Sequence, residues 1–295
     1  MTDERRKLML GISLATVYLV WGSSYLANKL GVAKMPPFLF GGVRFVIAGA
    51  LLCALALYRG ESLRINRRQF LQALLVGAFA VLISNGANVW ALQWVPSNQA
   101  ALLNTSSAFF IAALGTMGPR SHALHFQSLV GLLIGIVGTA LILLPSGGLS
   151  DQYLPQMAII LLGSLGWSIA AILQRNFDTR MGLLSFTGWQ MLLGGLLMLI
   201  VGSSSGELPH WQFSTQGMLA LAYMIFFSAC LGYTAFTWLA RNAAPALVGS
   251  FAYVNPVIAT LLGWWALGER LTTLEILGSI VVLIGVVLVT RRESA

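Results

Sequence analysis

Trp21-Gly22-Ser23-Ser24-Tyr25-Leu26-Ala27-Asn28-Lys29 is answered, 146 positions later, by Trp167-Ser168-Ile169-Ala170-Ala171-Ile172-Leu173-Gln174-Arg175. The tryptophans and the closing basic residues align. At the same shift Gly42 and Gly49 meet Gly188 and Gly195. Further on the shift becomes 148, pairing Trp90 with Trp238 and Gly115 with Gly263. It then becomes 147, pairing Gly131 with Gly278 and Gly138 with Gly285. So small a drift means two copies of one unit. If each copy crosses a membrane five times, the copies must lie upside down relative to each other, a signature of secondary transporters.

Composition makes lipid the solvent. Of 295 residues, 57% are hydrophobic and 9% charged, more apolar surface than a soluble domain of this length can hide. The 31 glycines suit closely packed membrane helices. The net charge of +8 sits mostly in short loops, without a basic stripe or soluble domain, so nucleic acid is not expected as a partner. Cys53 and Cys230 fall inside apolar runs and read as packing residues, with no disulfide framework and no metal site. The first apolar run is long and others follow it, so it reads as a retained span rather than a signal peptide.

Ten apolar runs follow one another, at 8–28, 38–58, 70–92, 97–117, 124–144, 156–174, 183–202, 217–239, 246–266 and 273–290. Each is near the ~20 residues that carry a helix across a bilayer. Unpaired backbone groups are not tolerated in lipid, so these runs predict helices. The expected fold is an all-α integral membrane protein with ten transmembrane helices, an inverted repeat of two five-helix units at 8–144 and 156–290. Loops are short; the longest, at 61–69, 145–155 and 203–216, cannot hold a soluble domain. With the N-terminus inside, thirteen Lys and Arg fall on the cytoplasmic side, against Lys29, Lys34 and Arg270 outside. That bias predicts a multi-pass protein of the inner (plasma) membrane with both termini cytoplasmic.

Several stretches resemble the EamA-type drug/metabolite transporter family, in its YedA/PecM-like branch of inner-membrane exporters. They are Trp21-Gly22-Ser23-Ser24-Tyr25, Gly41-Gly42-Val43-Arg44-Phe45 after Pro36-Pro37, and Arg241-Asn242-Ala243-Ala244-Pro245-Ala246. Tyr253-Val254-Asn255-Pro256-Val257 and Gly268-Glu269-Arg270-Leu271 complete the set. The resemblance covers essentially the whole chain as two EamA units. It implies ten helices, an inverted repeat and export of small metabolites or toxic compounds, and it does not transfer a substrate. Each copy in this family usually ends its fourth helix in a Gly-Glu-Arg-type turn. The first copy here reads Gly118-Pro119-Arg120-Ser121, so only Glu269 carries over.

Arg44 is the one charge well inside a run, about 10 Å past Pro37 at 1.5 Å per residue. It either snorkels outward or braces a neighbouring helix, or it faces a cavity, where it would suit a carboxylate or another anion. Its counterpart Gln190 is also polar, which suggests that both face the interior. Asn85 and Asn88 share a helix face, as helix–helix glue or as substrate contacts. The matching stretch holds Tyr233, Thr234, Thr237 and Trp238, and Asn104-Thr105-Ser106-Ser107 is too polar to face lipid. Pro256 should kink its helix near Asn255 and Tyr253, in one copy only, because Ser107 and Ala108 stand opposite. Trp21 and Trp167 lie too deep for an aromatic belt; packing between the halves and a flat wall for organic substrates both fit. Glu275 reads as the acid of a Thr272-Thr273-Leu274-Glu275 capping box. Gly131 and Gly135 suit close contact between helices 5 and 10.

All nine acids lie in loops or at run ends, and so do the three histidines. No mid-membrane carboxylate offers a proton relay, and no cluster supports an enzyme, a cofactor or an ATPase. The expectation is a monomeric secondary transporter exporting small metabolites, amino acids or toxic organic compounds by alternating access. Arg44, Gln190, Asn85, Asn88, Trp21 and Tyr253 are the expected substrate contacts, with Glu269, Pro256 and Asn255 for coupling or gating. An uncoupled facilitator or exchanger, and a non-transporting sensor or scaffold, are the alternatives.

Overall fold

A computed structural model describes residues 3–32, 35–91, 93–95, 97–143, 151–177, 180–267 and 272–293. The regular structure among the described residues is all helical, without a strand. The helices are α1 (Asp3–Val32), α2 (Pro37–Tyr58), α3 (Arg67–Ala91), and α4 in two pieces, Ser97–Asn104 and Ser106–Leu114. Then come α5 (Phe126–Leu143), α6 (Leu154–Asn176), α7 (Leu183–Ser204) and α8 (Thr215–Asn242). The last are α9, as Pro245–Gly249 and Phe251–Leu267, and α10 (Thr273–Glu293). Seven helical stretches are long and apolar enough to cross a membrane; Leu102–Leu114, Phe126–Ile142 and Thr273–Val289 are apolar but shorter. Glu269 lies outside the described residues.

Local chemistry starts these helices. Pro37 and Pro245 occupy first turns, where a missing N–H costs nothing. Asn66 and Gln69 form a capping box on α3. On α10 the backbone N–H of Thr272 donates to Glu275 Oε2 at 2.7 Å, and Glu275 N–H donates back to Thr272 Oγ1 at 3.2 Å. Glu275 is therefore engaged in holding a helix end.

Glycine seams join corresponding helices of the two copies. On the α2–α7 seam, a Cβ added to Gly49 would stand 2.7 Å from the Leu192 nitrogen. One added to Gly195 would stand 2.8 Å from the Val46 nitrogen. Gly42 meets Leu199, and Gly188 meets Cys53. Residue numbers rise along α2 as they fall along α7, so the two run antiparallel. On the α5–α10 seam, Gly138 abuts the Gly278 carbonyl and Gly131 the Gly285 carbonyl, each at 2.8 Å for an added Cβ, again antiparallel. Lipid offers helices no hydrophobic drive to associate, so backbone approach and dispersion must supply it, and glycine permits that approach.

The copies also interlock. α1 packs on α8 and α9 of the second copy, while α6 packs on α3 and α4 of the first. Neither copy keeps its first helix to itself.

Irregular turns come in matching pairs. α3 is wound as a π-helix over Ala78–Asn85, and α8 over Met224–Tyr233. α4 breaks at Thr105 and α9 at Ser250. A kink in one copy alone was the expectation, and that is corrected. In α4, Thr105, Ser106 and Ser107 each turn a hydroxyl onto the carbonyl three residues back, at 2.6, 2.6 and 2.7 Å. Three successive side chains compete with the backbone ladder, and the helix is interrupted without a proline. In α9 the break lies six residues before Pro256, at Ser250, whose hydroxyl donates to Leu247 O at 2.6 Å. Pro256 stays inside the helix and denies the Ala252 carbonyl its usual donor.

Candidate functional site

Arg44 lies on the buried face of α2, 3% exposed. Its Nη2 donates to Asn85 Oδ1 at 3.0 Å, and its guanidinium lies 4.2 Å from the centre of the Phe45 ring. Its Nε–H has no partner among the described residues. Asn85 closes the π stretch of α3 and uses both its donors: besides receiving Arg44, its amide donates to Ala80 O at 2.8 Å and to the Tyr233 hydroxyl at 2.9 Å. Tyr233 closes the π stretch of α8. A π turn inserts one extra residue into the helix and so re-aims the side chains at its end. Here the two π turns bring the end residues of both copies together.

Aromatic rings surround Tyr233. Trp21 stands 5.5 Å from it and Trp167 5.4 Å, centre to centre, both nearly edge-on. The two tryptophans are 5.2 Å apart. Phe236 lies 5.3 Å from Trp21 and 4.7 Å from Trp167, and Phe251 lies 5.1 Å from Trp21. Edge-to-face rings at these spacings are mutually attractive. Trp21 Nε1 donates to Ser228 O at 3.1 Å, while Trp167 Nε1 is buried without a partner among the described residues. Gly232 leaves room for Trp21 against α8; any Cβ there would strike its indole.

Asn88 turns elsewhere. It accepts from Asn104 at 2.6 Å, and Ser164 donates to Asn104 at 3.0 Å, so a polar chain links α3, α4 and α6. Gln190 donates to Thr237 at 3.1 Å, and its Oε1 is buried without a described partner. Gln190 and Arg44 are not neighbours: the antiparallel register of the α2–α7 seam sets them roughly 10 Å apart along the pair. Tyr253 is also displaced. Its ring covers Gly135 of α5, where an added Cβ would lie 2.8 Å from it. Asn255 is buried, with Oδ1 unpartnered among the described residues. Of the six expected substrate contacts, the structure gathers Arg44, Asn85 and Trp21 around Tyr233, and sets Asn88, Gln190 and Tyr253 apart from them.

Two acids escaped the sequence reading. After α2 the chain turns through Gly60 (φ +78°), with Glu61 N–H donating to Ala56 O at 2.8 Å. After α7 it turns through Gly206 (φ +80°), with Glu207 N–H donating to Gly202 O at 3.0 Å. These are matching αL helix ends, which only glycine enters freely. Each turn throws its glutamate onto the start of the other helix. Glu61 Oε2 accepts from Ser185 N–H at 2.8 Å and from its hydroxyl at 2.9 Å; Glu207 Oε2 accepts from Leu39 N–H at 2.9 Å. Carboxylates there satisfy orphan amides and complement the helix dipole. The signal was present in the sequence, as Gly-Glu at 60–61 and again at 206–207.

No group of three or more His, Cys, Asp or Glu side chains that could hold a metal occurs among the described residues.

Comparison with known proteins finds membrane transporters. The model of the EamA-like transporter family matches twice, over residues 9–144 and 154–291. The "uncharacterized inner membrane transporter YedA" of Escherichia coli (strain K12) is 35% identical over 288 residues, 97% of this chain and 92% of its own. The S-adenosylmethionine/S-adenosylhomocysteine transporter of Chlamydia muridarum (strain MoPn / Nigg) is 24% identical, covering 85% of this chain and 81% of its own. A solved crystal structure superposes with a TM-score of 0.84 over 99% of both chains, at 20% identity, and so shares the fold.

Proposed function

We propose that this chain, which belongs to the EamA-like transporter family, exports a small organic solute across the inner membrane by alternating access around Tyr233 and its ring of aromatic side chains. Family membership makes the protein a membrane transporter and not an enzyme. The observation that carries the mechanism is a pair of contacts. Asn85 touches Tyr233, and Trp21 touches Trp167. In each pair the partners hold corresponding places in the two copies.

A residue meets its own counterpart only near the axis relating two copies. The antiparallel run of α2 with α7 and of α5 with α10 supports an inverted repeat, with that axis in the membrane plane. All ten helices cross in this reading, with both termini cytoplasmic as the basic loops favour. The site then lies near mid-membrane, where carriers of this architecture bind their solutes.

The same contacts divide the molecule into still and moving parts. The seams α2–α7 and α5–α10 bring backbone against backbone, and Glu61 and Glu207 clasp both ends of the first. Such pairs serve as posts. The π turns of α3 and α8 and the breaks in α4 and α9 are softer and serve as hinges. Arg44, Asn85 and Trp21 form the central contacts; Gln190, Asn88 and Tyr253 line the approach on either side; Asn255 and Pro256 act at the α9 hinge, and Glu269 serves coupling or gating. The protein works as a monomer.

Purified protein in liposomes tests this reading. A carrier predicts saturable efflux of at least one labelled small solute, accelerated by unlabelled solute on the opposite side. Efflux that never saturates and shows no such exchange contradicts it. The absence of an acid from the central contacts favours a second reading, an exchanger or facilitator without ion coupling. Transport that ignores both pH gradient and membrane potential selects that reading.

A further inference from the structure

Resting on the carrier reading, we infer that the solute is an organic anion, a small acid with a planar ring whose carboxylate takes the free donors of Arg44, Tyr233 and Trp167. The chemistry of the centre is one-sided. Arg44 brings a full positive charge to a site 3% exposed, and no carboxylate reaches it among the described residues. A buried charge without a counter-ion is costly by several kcal/mol. The cation–π contact with Phe45 and the single bond to Asn85 offset only part of that.

Hydrogen-bond counting gives the same sign. Asn85 Oδ1 is taken by Arg44, and its amide hydrogens by Ala80 O and Tyr233. Tyr233 receives a bond from Asn85, and its own O–H has no acceptor among the described residues. Arg44 Nε–H and Trp167 Nε1–H lack acceptors there as well, although both atoms are buried. Three donors lack acceptors around one tyrosine, and the side-chain amide oxygen at the centre, Asn85 Oδ1, already accepts from Arg44. A group with several acceptor oxygens and no donor completes such a set, and a guanidinium pairs with carboxylate in two-pronged geometry.

The apolar part of the solute follows from the rings. Trp21, Trp167, Phe236 and Phe251 pack together with ring centres 4.7–6.2 Å apart, an aromatic cluster whose faces would receive a flat ring as the halves part. An ammonium group is disfavoured. It would bring a second cation beside Arg44 and would find no carboxylate there among the described residues. The site therefore selects acids over amines, over uncharged amides and over amino-acid zwitterions.

Equilibrium binding to the purified full chain tests this with matched probes: benzoate and indole-3-acetate, their amides, benzylamine and tryptamine, and the zwitterion tryptophan. The carboxylates are expected to bind saturably, and every other probe at least tenfold more weakly. Arg44→Gln should lose at least tenfold for the carboxylates, Arg44→Lys less, and Tyr233→Phe severalfold. Equal binding of amides, amines or tryptophan overturns the inference, as does no carboxylate binding, or undiminished binding in a folded Arg44→Gln protein. Should Arg44→Gln fail to elute as a single species, the wild-type probe ranking and Tyr233→Phe decide alone. The carrier reading fails separately. Exchange transport of a solute that ignores Arg44 leaves the carrier standing and removes the anion. Acid binding without any transport does the reverse.

Discussion

Asn85 donates to the hydroxyl of Tyr233 across 2.9 Å, and the two residues are each other's counterparts, 148 positions apart in the two copies of the repeat. Each ends a π-helical stretch. The copies have diverged where they touch: an amide faces a phenol, and one turn of binding chemistry is shared by both. A symmetric centre would hold two amides or two phenols. The divergence gives the site a polar side, next to Arg44, and an aromatic side, next to Trp167.

The paired glutamates should behave as equal and independent clasps. Glu61→Ala and Glu207→Ala each remove a helix-start acceptor and should each cost about 1 kcal/mol. They act at opposite ends of the α2–α7 seam, so the double variant should cost roughly the sum. Thermal or denaturant unfolding in detergent measures this. A strongly non-additive double variant would mean that the two ends are coupled.

Glycine position decides the sign of an alanine substitution. Gly49→Ala and Gly138→Ala place a Cβ 2.7 Å from the Leu192 nitrogen and 2.6 Å from the Val282 nitrogen. Backbone cannot yield as a side chain does, so each should destabilise by about 1–3 kcal/mol or more. Gly11, with nothing within 4 Å, should gain up to about 1 kcal/mol from the better helix propensity of alanine. The same unfolding assay reports all three, and a stable Gly49→Ala protein would deny the close seam.

The two central tryptophans should separate stability from transport. Both lose ring volume on change to Phe. Trp21→Phe also strands the Ser228 carbonyl and should cost about 1 kcal/mol more than Trp167→Phe. Trp167 Nε1–H has no partner to lose among the described residues, so Trp167→Phe should cost only its ring volume and should raise the KM of transport. Unfolding midpoints and transport kinetics on both variants check the contrast.

The hydroxyl triplet of α4 should trade motion for stability. Replacing Thr105, Ser106 and Ser107 together by Ala removes three bonds to carbonyls that compete with the helix ladder. The helix should close its break, unfolding should shift upward, and exchange transport should slow several-fold. A variant with unchanged transport would show that the break is no hinge.

Much of the fold was legible in the order of residues. The shift that aligned Trp21 with Trp167 and Gly49 with Gly195 also aligned the seams, because close helix approach in lipid demands small residues at fixed places. Arg44 stood out because a charge inside an apolar run is expensive. What was not legible is which counterparts touch. Alignment put Asn85 opposite Tyr233, yet contact depends on π turns, which carry no residue signature in Ala78–Asn85 or Met224–Tyr233. Tyr253 lies apart from Tyr233 because helix rotation sets its direction, and it turns onto Gly135. Glu61 and Glu207 read as loop acids because their roles depend on the chain folding back through a left-handed glycine.

The inverted arrangement is the premise of the whole mechanism, and Tyr58 and Ser204 test it most directly. They end α2 and α7 at corresponding places, and both are exposed. Tyr58→Cys and Ser204→Cys, made singly in a chain whose Cys53 and Cys230 are replaced by Ala, can be labelled with a membrane-impermeant maleimide in intact cells and in everted vesicles. The account predicts that position 204 labels only in intact cells and position 58 only in everted vesicles. Labelling of both positions from the same face would contradict it.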